Sequence, residues 1–119
     1  MDINRLLEKI RMHPDAHKMG MIASHLGIVR GSSRNNRRVI GIEVAYDLNI
    51  INDIIKEIKQ LTGIIEVIVE INDGQLDVGD DILFVAVGGD IRENVFHALI
   101  KAVDMIKKRA SHKMEIFED

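Results

Sequence analysis

Two groups of cationic side chains are the residues of this sequence best suited to chemistry. Arg30, Arg34, Arg37 and Arg38 fall within one short polar stretch, and Lys107, Lys108, Arg109 and Lys113 within another. Guanidinium groups on a loop can clamp phosphate through paired, charge-assisted hydrogen bonds. The same cluster also serves as the solvated tip of a hairpin. A lysine beside other cations loses its proton more readily, which suits nucleophilic attack and proton transfer, and Lys107 and Lys113 are the candidates. Equally, cations in the last turn of a helix oppose its dipole and need no further role. Gly88-Gly89, between an apolar run and a helix start, offers backbone N–H groups to an anion, but without the spacing of a phosphate loop or dinucleotide fold. His13 and His17 stand four apart with Pro14 between them and no third ligand evident, so no metal site is expected. His25, inside an apolar strand, reads as a core or edge histidine. No nucleophile elbow or Ser-His-Asp signal is present in the sequence.

The composition narrows what these groups can belong to. With 119 residues, 46% hydrophobic and 29% charged, the chain fits one soluble globular domain spanning 1–119. Its core must be aliphatic, because aromatics amount to 3% and tryptophan is missing. Zero cysteines exclude disulfides, thiolate metal sites and cysteine nucleophiles, and fit a cytoplasmic location. No apolar run approaches the roughly 20 residues of a membrane span, and residues 1–12 lack the apolar core of a signal peptide. A net charge of −3 gives no general case for nucleic acid.

Periodicity then supplies the elements that must position the cations. Ile3, Leu6, Leu7 and Ile10 make a helical stripe ended by Pro14, giving an N-terminal helical segment within 1–18. Residues 20–30 and 39–46 read as strands, paired as a hairpin whose long tip is the arginine stretch. Asp47 caps a helix with the stripe Ile51, Ile54, Ile55, Ile58 and Leu61, and Gly63 stops it. Ile64–Ile71 is a β-branched strand, a short extended piece lies between the turns Asn72-Asp73-Gly74 and Val78-Gly79-Asp80, and Ile82–Val87 is a buried strand. Asp90 and Glu93 form a capping-box-like start to a helix whose expected buried stripe is Val95, Phe96, Leu99, Ala102, Val103 and Ile106. A last strand covers roughly 113–117. The residues alone therefore predict an α+β fold, an antiparallel-rich sheet with two packed helices.

Several stretches taken together resemble the large, catalytic subunit of molybdopterin synthase. Gly20-Met-Ile-Ala-Ser-His-Leu-Gly27-Ile-Val-Arg30 resembles that family's Gly-Ala-x-x-x-Phe-x-Gly-x-Val-Arg strand, and Ile42-Glu43-Val-Ala-Tyr46 its second strand. Gly74-Gln-Leu76-Asp-Val-Gly79-Asp80 is similar to its Gly-x-Leu-x-x-Gly-Asp turn. Asp104-Met-Ile-Lys107 and Lys113-Met-Glu115 resemble its Asp-x-Leu-Lys and terminal Trp-Lys-x-Glu. The order is colinear from Gly20 to Glu115. The family's two His-Arg pairs fall on Ile71-Asn72 and Ile91-Arg92, so both histidines are replaced.

The resemblance implies an α/β-hammerhead type of α+β fold and a cytoplasmic sulfurtransferase of molybdenum cofactor biosynthesis. The implied reaction installs the dithiolene sulfurs of molybdopterin on cyclic pyranopterin monophosphate. Sulfur arrives as a thiocarboxylate on the C-terminal Gly-Gly tail of a small ubiquitin-like carrier subunit. It further implies a homodimer of large subunits within a heterotetramer, Lys107 and Lys113 as catalytic residues, and Arg30, Arg34, Arg37, Arg38 and Arg92 for the substrate. No cofactor, nucleic acid or membrane is implied, the phosphorylated pterin being substrate. Two other readings stay open at this point: a catalytically inactive relative that binds the ubiquitin-like partner, and a ferredoxin-like small-molecule-binding module.

Overall fold

The computed structural model describes the whole chain, Met1–Asp119. Its elements in order are α1 (Ile3–Arg11), a short 3₁₀ turn (Ala16–Lys18), β1 (Met21–Ile28), β2 (Val39–Tyr46), α2 (Leu48–Lys59), β3 (Ile64–Ile71), β4 (Gly74–Asp77), β5 (Asp81–Gly89), α3 (Arg92–Met105), a π-helical turn (Ile106–Ala110) and β6 (Ser111–Phe117). They form an elongated α+β body of 52 × 26 × 24 Å.

The strands build two three-stranded antiparallel sheets, ordered β1-β5-β3 and β4-β2-β6. Two sheets rather than one, and three helices rather than two on the sheet, refine the expected architecture. They also set aside the ferredoxin-like alternative, which needs its strands in one sheet. The expected hairpin of the first two strands is overturned: β1 pairs with β5, while β2 pairs with β4 and β6. Alternation in each strand is satisfied by those other partners, so it could not identify them. What joins β1 to β2 is a small bridged loop. Ser32 pairs with Arg38, Ser33 N–H donates to the Arg37 carbonyl at 2.9 Å, and Arg37 N–H donates to Ser33 Oγ at 3.1 Å.

β5 explains the apolar run seen in the sequence, because both of its faces are covered. Leu83, Val85 and Val87 join Ile51, Ile54 and Ile58 of α2 and Val95, Ala98 and Ala102 of α3 in the main core. Phe84 and Ala86 face the other way and pack with Ile10 of α1. The second sheet has its own small core of Val29, Val39, Ile42, Val44 and Leu76.

Helix starts and stops follow local chemistry, with two corrections. Asp47 accepts from the N–H groups of Asn49 and Ile50 and caps α2 as expected. The cap of α3 is Ile91, with no side-chain bond to the helix. Asp90, one residue earlier, instead accepts from Ile91 N–H at 2.7 Å and Asn94 Nδ2 at 3.0 Å, and these contacts hold its carboxyl below the usual range. Gly88 and Gly89 are strand residues of β5, not a break before the helix. Gly89 gives its carbonyl to Gly20 N–H at 2.7 Å, and a side chain there would meet the Gly63 carbonyl at 2.6 Å. That close packing removes the anion-binding reading.

Candidate active site

Lys107 and Lys113 meet because α3 does not end in an ordinary turn. Its buried stripe continues through Ile106 to Ala110, and Ile106 is fully buried. The chain widens there into the π-helical turn and passes directly into β6. Ser111 Oγ–H donates to the Lys107 carbonyl at 3.0 Å, tying the turn to the strand that follows. In β6, Lys113 lies opposite Val44 of β2.

Both lysines line a cleft of about 420 Å³ at the junction of the two sheets. β1 contributes His25, Gly27 and Ile28, β2 contributes Val44 and Tyr46, and β5 contributes Ile82 and Leu83. Arg34 reaches in from the bridged loop, and Ser111 completes the wall. Its aliphatic residues are Ile28, Val44, Ile82 and Leu83, and its polar groups are three cations, an imidazole, a phenol and a hydroxyl. No carboxylate lines it. Such a site favours an anion carrying an apolar or aromatic body.

The other arginines singled out from sequence are engaged elsewhere. Arg30 Nε–H donates to the Ser32 carbonyl at 2.8 Å. Arg37 stacks 3.8 Å over the Phe117 ring, and Arg38 pairs with Glu118 at 3.1 Å. Arg92 pairs with Glu93 at the start of α3, ~22 Å along the helix from Lys107. Within one chain, Arg34 alone of the five joins the lysines. Lys108 points away, into a separate groove with His97, Ile100, Lys101 and Asp104. His13 Nδ1 accepts from Asp15 N–H at 3.0 Å and closes a turn.

Two site residues were missed by sequence reasoning. Tyr46 is pushed up to about 12 by burial and then by the charge of Asp73, so it stays a neutral phenol. His25 is held below 6.5 by burial and then by the charge of Lys107. A signal for His25 was present: alternation along β1 puts it on one face with Ala23 and Gly27, and small neighbours leave a side chain room to border a cavity.

The model of the MoaE protein family matches residues 1–109. Comparison with curated proteins found no match. Among solved structures, molybdopterin cofactor biosynthesis protein E from Burkholderia multivorans superposes with a TM-score of 0.79 at 23% identity, covering 99% of this chain and 82% of its own. Molybdopterin synthase from Staphylococcus aureus gives 0.74 at 23% identity, covering 86% and 77%. The complex of subunits 1 and 2 of molybdopterin-converting factor from Helicobacter pylori gives 0.73 at 17% identity, covering 99% and 80%.

Proposed function

The chain belongs to the MoaE protein family, and on that premise we propose that it is the catalytic, large subunit of a cytoplasmic molybdopterin synthase. It transfers sulfur from a thiocarboxylated, ubiquitin-like small subunit to cyclic pyranopterin monophosphate, forming the dithiolene of molybdopterin. The observation that carries this reading is the meeting of Lys107 and Lys113 with Arg34 in one cleft free of carboxylates. Arg34 holds the phosphate by a forked pair of hydrogen bonds. The two lysines move protons and stabilise the charge that develops as the thiocarboxylate sulfur bonds to the pterin, the cyclic phosphate opens, and water cleaves the resulting thioester to release the tail as a carboxylate.

The partner's Gly-Gly tail enters as an extended segment. β1 and β6 are edge strands of their sheets, and both border the cleft. An edge offers free backbone groups to an extended peptide, and a Gly-Gly tail brings no side chains to clash with the cleft walls. Deleting the tail from the small subunit is expected to abolish binding; unchanged affinity refutes the groove. The large subunit is a homodimer within a heterotetramer. Exposed Phe96 and Ile100 on α3 fit a covered face, and a light-scattering mass of 13.4 kDa at micromolar concentration counts against it.

The test of function is a turnover assay with thiocarboxylated small subunit and cyclic pterin, reading dithiolene product. One observation favours a second reading, a family member that binds the partner without catalysis. Ile71-Asn72 and Ile91-Arg92 stand where the family has His-Arg. Tail-dependent binding with no product selects that reading.

A further inference from the structure

The proposed chemistry leaves two titratable groups of the cleft unused, the Tyr46 phenol and the His25 imidazole, and only the imidazole titrates near neutral pH. Resting on the reading of the cleft as a phosphate site, we propose that His25 is its proton-linked member, uncharged while the cleft is empty and protonated when a tetrahedral oxyanion sits among Arg34, Lys107 and Lys113. His25 falls at the Phe position of the family strand motif that residues 20–30 resemble.

Ala23, His25 and Gly27 share the face of β1 that pairs with Val87, Val85 and Leu83 of β5. Those β5 side chains belong to the main core, beneath α3. At Ala23 the core is closed, but at His25 the helix gives way to the π-helical turn, and the ring borders the cleft instead. Gly27 provides the space: a Cβ built there would lie 3.4 Å from His25 Nε2. Nε2 is buried and has no hydrogen-bond partner. A histidine retained for structure would normally have that nitrogen bonded. Here its proton site is left uncommitted.

The surrounding charges decide when that site is filled. Lys107, on the turn, is the charge that acts on the ring; Lys113 from β6 and Arg34 from the loop line the same cleft, and β2 offers Tyr46, a neutral phenol near the charge of Asp73. β5 offers only Leu83 and Ile82 to the cleft. Burial and the Lys107 charge both oppose protonation, so the empty site holds a neutral imidazole. A bound anion offsets most of that positive charge, and the imidazolium then becomes a fourth cation with a counter-charge beside it. Reciprocity then requires the anion to bind more tightly as pH falls, by about tenfold for each unit by which it raises the His25 pKa.

Sulfate is the probe, because its charge is constant across the range in which histidine titrates. Its affinity is measured calorimetrically from about pH 8 down to about pH 5, around the histidine range, in two buffers of different ionisation heat so that protons taken up are counted. The ring C–H resonances of His25 are followed in parallel, with His13, His17, His97 and His112 as internal references. In the wild-type chain, sulfate is expected to tighten about tenfold toward acid with net proton uptake, and His25 alone is expected to titrate at higher pH when sulfate is present. In His25→Phe and His25→Gln the uptake is expected to vanish and the residual pH dependence to fall to about twofold or less. The same pH dependence in all three chains overturns the proposal. So does a His25 titration that sulfate leaves unmoved, or no sulfate binding at either pH. None of these measurements needs the small subunit or the pterin, so the turnover assay decides the synthase reading separately.

Discussion

Ser111 and Lys107 are joined by a hydrogen bond of 3.0 Å from the serine hydroxyl to the lysine's main-chain carbonyl. The contact spans the change from π-helical turn to strand. It therefore fixes the direction in which Lys107 leaves the backbone relative to Lys113, two residues beyond the serine on β6. Ser111→Ala removes one partly solvated hydrogen bond, which is expected to cost about 0.5–1.5 kcal/mol of stability. Turnover is expected to fall further than that loss of folded protein explains, because the geometry of the pair loosens. Denaturant midpoints and product formation measured on the same preparation separate the two effects, and full turnover in a slightly less stable variant would refute the positioning role.

Tyr46 is the chain's single tyrosine, and tryptophan is lacking, so near-ultraviolet absorbance reads its ionisation alone. The midpoint is expected near 12 in the folded protein, against 10.0 for an unperturbed phenol. Because the folded state favours the neutral phenol, its contribution to stability is fully present below pH 10 and is lost as pH rises from 10 toward 12. In urea the midpoint is expected to return to the lower value. Asp73→Asn is expected to recover only the smaller part of the shift, since burial is the larger cause. A complete return to the ordinary value in that variant would show that the ring is solvated.

The turn before β3 allows a test of backbone strain. Gly63 has φ of +77°, and a Cβ at that position would collide with the Asp90 carboxylate and the Asn94 side chain. Gly63→Ala combines a left-handed backbone with this overlap, and is expected to cost about 1–3 kcal/mol. The loss should be accompanied by release of Asn94 from Asp90 and fraying of the first turn of α3. A neutral substitution, by thermal unfolding and amide exchange at residues 91–95, would contradict the close approach.

Much of the fold was legible because each element has one dominant period. The stripes of Ile51, Ile54 and Ile58 and of Val95, Ala102 and Ile106 specify helices by themselves and are buried, whereas Phe96, expected in the second stripe, is 51% exposed. Pairing was less legible. β1 and β2 satisfy their alternation equally well against each other or against β5, β4 and β6, and the loop between them looks the same in either case. The site was half legible for a similar reason. Charge and family spacing single out Lys107 and Lys113, whereas Arg37 and Arg38 look like Arg34 until their partners Phe117 and Glu118 are known. His25 is a lone histidine in a strand and reads as a core or edge residue, so its place at the cleft follows from register rather than composition.

The contrast between neighbouring lysines is the sharpest test of the catalytic reading. Lys107 and Lys113 line one cleft, whereas Lys108 lines a groove on another side of α3. All three side chains are exposed, so none is needed to fill the core, and alanine at each position should leave the fold intact. A general loss of positive charge would weaken anion attraction about equally in the three variants, and more so at low salt. A specific role would not. Lys113→Ala removes an amine that can transfer a proton or attack an acyl carbon, and turnover is expected to fall by about 10²–10⁴-fold. Lys107→Ala is expected to come next, with Lys108→Ala close to wild type. Adding salt should leave the gap between Lys113→Ala and Lys108→Ala in place. Equal, small and salt-sensitive effects at Lys113 and Lys108 would reduce the cluster to a charged helix terminus, and the partner-binding, non-catalytic reading would then be the better one.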